Sequence, residues 1–154
     1  MVYKGALIVK PRQGLCDLRF GASMPQAEMY FGKPEAIEHI DEIEEYKSIV
    51  WHYWKRGFSL FFDDSFRNTF SCVELDDQQT LLWSREVFKM DENEIVKLFK
   101  TQGYVDVDRE EHKWGEKRVS LDDAMVDLYF ENEVLISINY CVTQDFENIL
   151  LLPN

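Results

Sequence analysis

The sequence predicts an α+β domain in which two tandem α-β-β-β(-β) repeats form one mostly antiparallel sheet, with the helices packed on one face. Three observations support this fold class. A helix signal at Ser23 recurs 68 residues later at Asp91. Each copy is followed by segments rich in aromatic and β-branched residues, which are typical of strands. The chain of 154 residues suits a single domain, 1–154, with repeats at approximately 18–77 and 86–144.

Each repeat is predicted to open with a capped helix. Ser23 with Gln26, and Asp91 with Glu94, have the spacing of a capping box, in which each residue bonds to the other's backbone. The first helix is expected to be short because Gly32 suits a left-handed C-terminal cap. The second is expected to run about one turn longer.

Strands are predicted after each helix from their composition and from the charged turns that separate them. They are 47–54, 58–62 and 66–75 in the first repeat, and 104–108, 117–121, 124–130 and 135–142 in the second. Segment 35–46 fits either a loose helical stripe or a strand followed by an acidic loop, and the strand is favoured. Segment 6–9 suits an edge strand or a packed arm. The apolar tail, 146–152, is expected to dock on the body.

The cysteines predict the redox state and the compartment. Cys16, Cys72 and Cys141 are widely separated and form no C-x-x-C motif, so we expect reduced, mostly buried thiols rather than disulfides or a zinc site. No apolar run approaches the roughly 18 residues of a membrane span. The N-terminus does not resemble a signal peptide. These features predict a cytoplasmic protein without membrane contact.

The charge predicts the class of partner. The chain has 29 acidic and 17 basic residues, a net charge of −12. Nucleic acid binding is unfavourable because phosphate neutralisation requires a basic face. An acidic surface instead attracts basic proteins and speeds their association. The alternative interpretation is that the charge serves solubility alone.

No catalytic or cofactor motif is present in the sequence, which predicts a protein that is not an enzyme and has no cofactor. The best acidic cluster is Asp106, Asp108, Glu110 and Glu111, because alternate residues of a strand share a face. It lacks the glycine-containing loop of oxygen-ligand calcium sites, so no metal is predicted. We therefore interpret the four carboxylates as candidate partner-binding residues.

Aromatic residues concentrate in segment 50–54. On a strand, Trp51 and Tyr53 face one side, and Trp54 faces the other with His52. Two interpretations stay open: these rings fill a core, or they form an exposed aromatic surface. Because Trp and Tyr anchor many protein interfaces, Trp51, Tyr53 and Trp54 are further candidates for partner binding.

The short motif at 18–23, Leu-Arg-Phe-Gly-Ala-Ser, is followed by a helix and by Gly-Lys-Pro-Glu at 32–35. This pattern resembles the helix-then-strands repeat of the SmpA/OmlA family of small outer-membrane lipoproteins. The tandem arrangement is similar in plan to the β-lactamase-inhibitor-protein family, which implies one sheet whose concave face binds an enzyme. Similar compact proteins occur as bacterial immunity proteins that neutralise a toxin. This chain shows no signal peptide, lipidation cysteine or evident disulfide pair, so the resemblance implies the architecture only.

These observations favour a non-enzymatic protein-binding protein. It would be an intracellular bacterial immunity protein or inhibitor that binds a basic partner, such as a toxin, through an acidic, aromatic sheet face. One alternative is an enzyme or small-ligand-binding protein with an enclosed, mostly apolar pocket between the repeats, where His52 and nearby carboxylates act as acid and base. A structural or regulatory module is the other.

Overall fold

A computed structural model describes residues 2–43, 46–64 and 67–142, and within them the fold is α+β with two α-helices and two mostly antiparallel sheets. The predicted docking of segment 146–152 lies outside the described residues. The elements in chain order are β1 (Ile8–Lys10), β2 (Gly14–Leu15), β3 (Leu18–Arg19), α1 (Met24–Phe31), β4 (Ala36–Ile43), β5 (Tyr46–Tyr53), β6 (Phe58–Asp63), β7 (Thr69–Leu75), β8 (Leu81–Leu82), β9 (Arg85–Glu86), α2 (Glu92–Thr101), β10 (Val107–Glu111), β11 (Glu116–Leu121), β12 (Val126–Glu131) and β13 (Val134–Cys141). Neither helix is long and apolar enough to cross a membrane.

Eight strands form the large sheet, in the order β10-β11-β12-β13-β7-β6-β5-β4, and all neighbours are antiparallel. The favoured strand in segment 35–46 is confirmed as β4. The expectation of one sheet is incomplete, because five short strands form a small sheet in the order β3-β2-β1-β8-β9. Segment 6–9 contributes to β1, which is not an edge strand because it pairs with β2 on one side and β8 on the other.

Both predicted capping boxes are confirmed. The Gln26 backbone N–H donates to Ser23 Oγ at 3.2 Å, and the Ser23 N–H donates to Gln26 Oε1 at 2.8 Å. Asp91 and Glu94 make the same reciprocal pair at 2.8 and 3.1 Å. Helix α1 has 8 residues and α2 has 10, so the second is longer by about half a turn rather than a full turn.

The two faces of the large sheet are opposite in character. One row of directly paired residues crosses all of its strands and consists of aliphatic and aromatic residues: Ile37, Trp51, Leu60, Val73, Tyr140, Val126, Leu121 and Val107. The adjacent row contains no large apolar residue: Ala36, His52, Ser59, Glu74, Asn139, Asp127, Ser120 and Asp108. Neighbouring residues on a strand point to opposite faces. We call the side of the first row the core face and the side of the second row the open face.

The helices and the small sheet cover the core face. Phe31 of α1 lies with its ring centroid 4.8 Å from that of Phe58, and Phe20, next to the small sheet, is equally close to Phe70. The buried Tyr140 hydroxyl donates to the Gly14 carbonyl at 2.9 Å, which joins the two sheets. A Cβ at Gly14 would collide with the Leu18 carbonyl oxygen, so this close approach requires glycine.

A disulfide joins the centre of the large sheet, so the expectation of reduced thiols was wrong for two of the cysteines. Cys72 on β7 and Cys141 on β13 are directly opposite each other, with Cα atoms 4.1 Å apart, and their sulfurs are bonded. The two residues are 69 positions apart in the sequence, and only the pairing of β7 with β13 brings them together. The expectation of a reduced, buried thiol is confirmed for Cys16, which is free and buried.

We predict that reducing the Cys72–Cys141 disulfide lowers the free energy of unfolding by about 4 kcal/mol, because the bond restricts a long loop of the unfolded chain. Urea denaturation with and without a reducing agent measures the difference. The double variant Cys72→Ala/Cys141→Ala should be insensitive to the reductant, whereas the control Cys16→Ala should keep the full sensitivity. Equal stability of the wild type under both conditions would contradict the prediction.

Candidate functional site

The structure separates the three aromatic candidates. Trp51 and Tyr53 are 7% and 4% exposed and lie on the core face, so their predicted contact with a partner is wrong. The ring of Tyr53 packs against Phe31 of α1 with centroids 6.1 Å apart, and the ring of Trp51 packs against Phe62 with centroids 4.8 Å apart. Trp54 is 65% exposed because the chain leaves the sheet there in a 3₁₀ turn, Trp54–Arg56. It is the one member of this trio that a partner can reach.

The indole of Trp54 is held by His52. Their rings stack with centroids 5.3 Å apart and an angle of 18° between the planes. His52 Nδ1 lies 2.7 Å from Ser59 Oγ, and His52 Nε2 lies 2.9 Å from Glu38 Oε1. The imidazole is therefore fixed by side chains from the strands on both sides of β5, and it supports one face of the Trp54 ring.

Glu38, His52 and Ser59 form a hydrogen-bonded series of a carboxylate, an imidazole and a hydroxyl. Acyl-transfer enzymes use the same three types of group. Such catalysis also needs N–H donors directed at the developing oxyanion. Ser59 lies within β6, which pairs with β5 on one side and with β7 on the other. The backbone N–H groups near Ser59 are therefore used in the hydrogen bonds between strands. The geometry is better suited to positioning Trp54 than to activating Ser59.

Beside Trp54 lies an open cleft of about 270 Å³, which we call the Trp54 cleft. Its polar wall is formed by His52, Ser59, Glu74, Asp76 and Ser137. Ser137 belongs to β13, whereas His52, Ser59 and Glu74 belong to β5, β6 and β7. The cleft is therefore lined by residues from both halves of the chain. It differs from the enclosed, mostly apolar pocket that the enzyme alternative predicts.

The acidic candidates lie at the opposite edge of the large sheet. They are exposed and lie on or just before β10: Asp106, Asp108, Glu110 and Glu111. Arg118 Nη2 lies 2.9 Å from Glu110 Oε2 and 3.6 Å from Asp108 Oδ2, and Lys117 Nζ lies 3.2 Å from Glu111 Oε1. The basic side chains of β11 therefore neutralise much of the negative charge of this cluster.

The structure does not bring the aromatic and acidic candidates together. Strands β5 and β10 are six strand spacings apart, which is about 29 Å. They are connected by the row on the open face that runs through His52, Glu74, Asp127 and Asp108 and has no Lys or Arg. The open face is therefore the candidate interface, with the Trp54 cleft near one side of it.

A second, larger cleft of about 850 Å³ lies between the start of α2 and the strands β10 and β11. There Glu92 accepts hydrogen bonds from Arg109 Nε at 2.7 Å and from Lys117 Nζ at 2.6 Å. Burial raises the pKa of the Glu92 carboxyl, but the hydrogen bonds and charges of Lys117 and Arg109 outweigh it and hold the pKa below its usual value. This ion-pair group fastens α2 to the sheet.

Several residues at the site were not among the candidates predicted from the sequence: Glu38, Ser59, Glu74, Asp76 and Ser137. The alternation of β6 and β7 could have placed Ser59 and Glu74 on one face. The sequence contains no signal that aligns them with Ser137.

Among the described residues, no group of three or more His, Cys, Asp or Glu side chains could hold a metal ion. Comparisons with protein-family models, curated proteins and solved structures found no match to this chain.

We predict that Trp51→Ala lowers the free energy of unfolding by about 3–5 kcal/mol, because it opens a cavity in the core face. Trp54→Ala should change it by less than about 1 kcal/mol, because the ring is largely exposed. Urea denaturation of both variants tests the contrast. A large loss of stability in Trp54→Ala would contradict the assignment of Trp54 to the surface.

We also predict that Glu92→Gln removes part of the acid sensitivity of the fold. Because the pKa of Glu92 is lowered in the folded state, the ionised carboxyl stabilises the fold above the unfolded-state pKa. This contribution is lost as the pH falls through the folded-state pKa. Wild type and Glu92→Gln should therefore differ in unfolding free energy at neutral pH and converge in acid. The control is Glu86→Gln, whose ion pair with Lys89 is exposed; a constant difference for Glu92→Gln across this range would refute the prediction.

Proposed function

We propose that this chain is a non-enzymatic protein-binding protein that binds a basic partner through the open face of the large sheet. The observation that supports this most is the row of polar residues that crosses every strand of the sheet. It contains Glu74, Asp127 and Asp108 and no Lys or Arg, although Arg118, two positions from Ser120 on β11, lies 3.6 Å from Asp108. Such a face attracts a positively charged protein and favours one orientation of approach.

The size and composition of the open face suit an interface. The seven spacings between eight strands give a width of about 34 Å, whereas a standard complex buries about 800 Å² on each partner. Phe61 and Tyr129 are half-buried on the open face, and Trp54 is exposed beside it. Aromatic side chains that are held by their neighbours are the residue type that most often anchors binding.

An inhibitor or immunity protein that neutralises a basic toxin fits this surface best. The net charge of −12 favours fast capture of such a partner, which is the main requirement for neutralising it. The predicted cytoplasmic location depended in part on unpaired cysteines. The Cys72–Cys141 disulfide instead favours an oxidising compartment, where such bonds persist.

We propose further that the two halves of the chain arose by duplication of a helix-plus-strands unit. In each half a short hairpin and a capped helix precede four antiparallel strands, β4 to β7 and β10 to β13. The order of the large sheet is symmetric about the boundary between β7 and β13. Duplication would account for a broad sheet built from units that are each marginal in size.

The test compares two triple variants with equal changes of charge. Glu74→Gln/Asp127→Asn/Asp108→Asn removes three carboxylates from the open face, whereas Asp17→Asn/Glu28→Gln/Glu86→Gln removes three from α1 and the region of the small sheet. The immobilised proteins are used to isolate partners from the native cell at low and high salt, and association rates are then measured.

We expect a basic partner that the wild type and the second variant bind equally at low salt. The open-face variant should associate about tenfold more slowly, because steering by the three carboxylates is lost. Equal rates for both variants, or the absence of any partner at low salt, would overturn the proposal.

A further inference from the structure

We propose that the Trp54 cleft receives one arginine side chain of the basic partner. This inference rests on the proposed function, because it assigns a specific contact to the same surface. The cleft of about 270 Å³ is smaller than the roughly 300–1,000 Å³ of typical small-molecule sites, and a single side chain suits it better. Three properties of its walls favour a guanidinium group.

The first property is a free aromatic face in a fixed position. One side of the Trp54 ring stacks on His52, while the residue is 65% exposed. His52 in turn is held by Ser59 and Glu38. The indole is therefore oriented before a partner arrives, and its exposed face can stack on a planar cation.

The second property is a pair of carboxylates that form no ion pair with a basic side chain among the described residues. Glu74 and Asp76 line the cleft and are exposed. Within residues 2–43, 46–64 and 67–142 neither carboxylate pairs with a Lys, Arg or His side chain, unlike Glu110 and Glu111 of β10. A guanidinium can bind a carboxylate with two parallel hydrogen bonds, which the point charge of lysine cannot do.

The third property is a wall that glycine keeps open. Gly57 has a φ of +75°, and a Cβ there would lie 3.0 Å from Asp76 Oδ1. A larger residue would be strained and would displace this carboxylate from the cleft.

Trp114 provides a matched control. It is 69% exposed and stacks on His112, two residues earlier, with centroids 4.7 Å apart. Its indole N–H donates to Glu116 Oε2 at 2.7 Å. It thus shares the exposure and the histidine contact of Trp54 but does not line the Trp54 cleft, so Trp114→Ala separates the cleft from a general effect of exposed tryptophan.

The experiment titrates the isotope-labelled protein with N-acetyl-arginine amide and follows its amide and indole resonances. N-acetyl-citrulline amide, which has nearly the same shape and no charge, is the control ligand. We expect saturable shifts at the Trp54 indole and at the Ser59 and Glu74 amides with the arginine compound only. In Trp54→Ala, which lacks the indole signal, the shifts of the Ser59 and Glu74 amides should vanish. All of the shifts should vanish in Glu74→Gln/Asp76→Asn and persist in Trp114→Ala. Absent shifts, equal shifts with citrulline, or shifts that persist in Trp54→Ala would overturn the inference.

A second measurement distinguishes this inference from the proposed function. With a partner isolated on the open face, Trp54→Ala should weaken binding about 30-fold or more, and Trp114→Ala less than about threefold. If the partner binds both variants like the wild type, the arginine site is wrong while the protein-binding function stands. If the arginine compound binds as expected and no protein partner exists, the proposed function fails and the site remains.

Discussion

The pairing of β7 with β13 is the interaction on which the rest of the structure depends. Four pairs of opposed residues, from Leu75 with Ile138 to Cys72 with Cys141, join strands that are far apart in the chain. Without this ladder, two four-stranded sheets would each present an unprotected edge at the centre of the molecule. The same ladder brings Ser137 beside Glu74 and Asp76, which completes the Trp54 cleft. The disulfide covalently joins the two strands at one end of the ladder, so the fold and the candidate site depend on the same contact.

The carboxylates of this acidic protein divide into two groups by their neighbours. At the edge of the sheet, Glu110 and Glu111 meet Arg118 and Lys117 on the next strand, and this charged edge discourages pairing with another chain. At the centre of the open face, Glu74 and Asp127 belong to a row without a basic side chain. A carboxylate that already has a basic neighbour has less to gain from a basic partner. Net charge alone therefore does not distinguish the two groups of carboxylates, whereas the distribution of basic residues does, and the proposed interface rests on that distribution.

Much of the fold could be predicted from the sequence because the signals are local. The capping boxes and the strand segments each depend on residues a few positions apart. The structure confirms both capping boxes and most of the predicted strands, although the strand predicted at 104–108 lies at Val107–Glu111. The candidate site was predicted less well, because it depends on which strands are neighbours. Trp51 and Trp54 belong to one aromatic run, yet one is in the core and the other is exposed. Cys72 and Cys141 are directly opposite each other on β7 and β13, but nothing near either cysteine in the sequence identifies its partner until these two strands are known to be adjacent.

By itself the sequence determined the α+β class, the capped helices, most strands of the large sheet and a strong negative charge. These properties follow from side-chain periodicity, backbone preference and composition, which act over short distances along the chain. The tertiary structure alone decided the small second sheet, the disulfide and the division into core face and open face. It also decided that Trp54, rather than Trp51 or Tyr53, is available to a partner. Strand register is the physical reason, because a single alignment of β5, β6, β7 and β13 specifies which side chains share a face and meet.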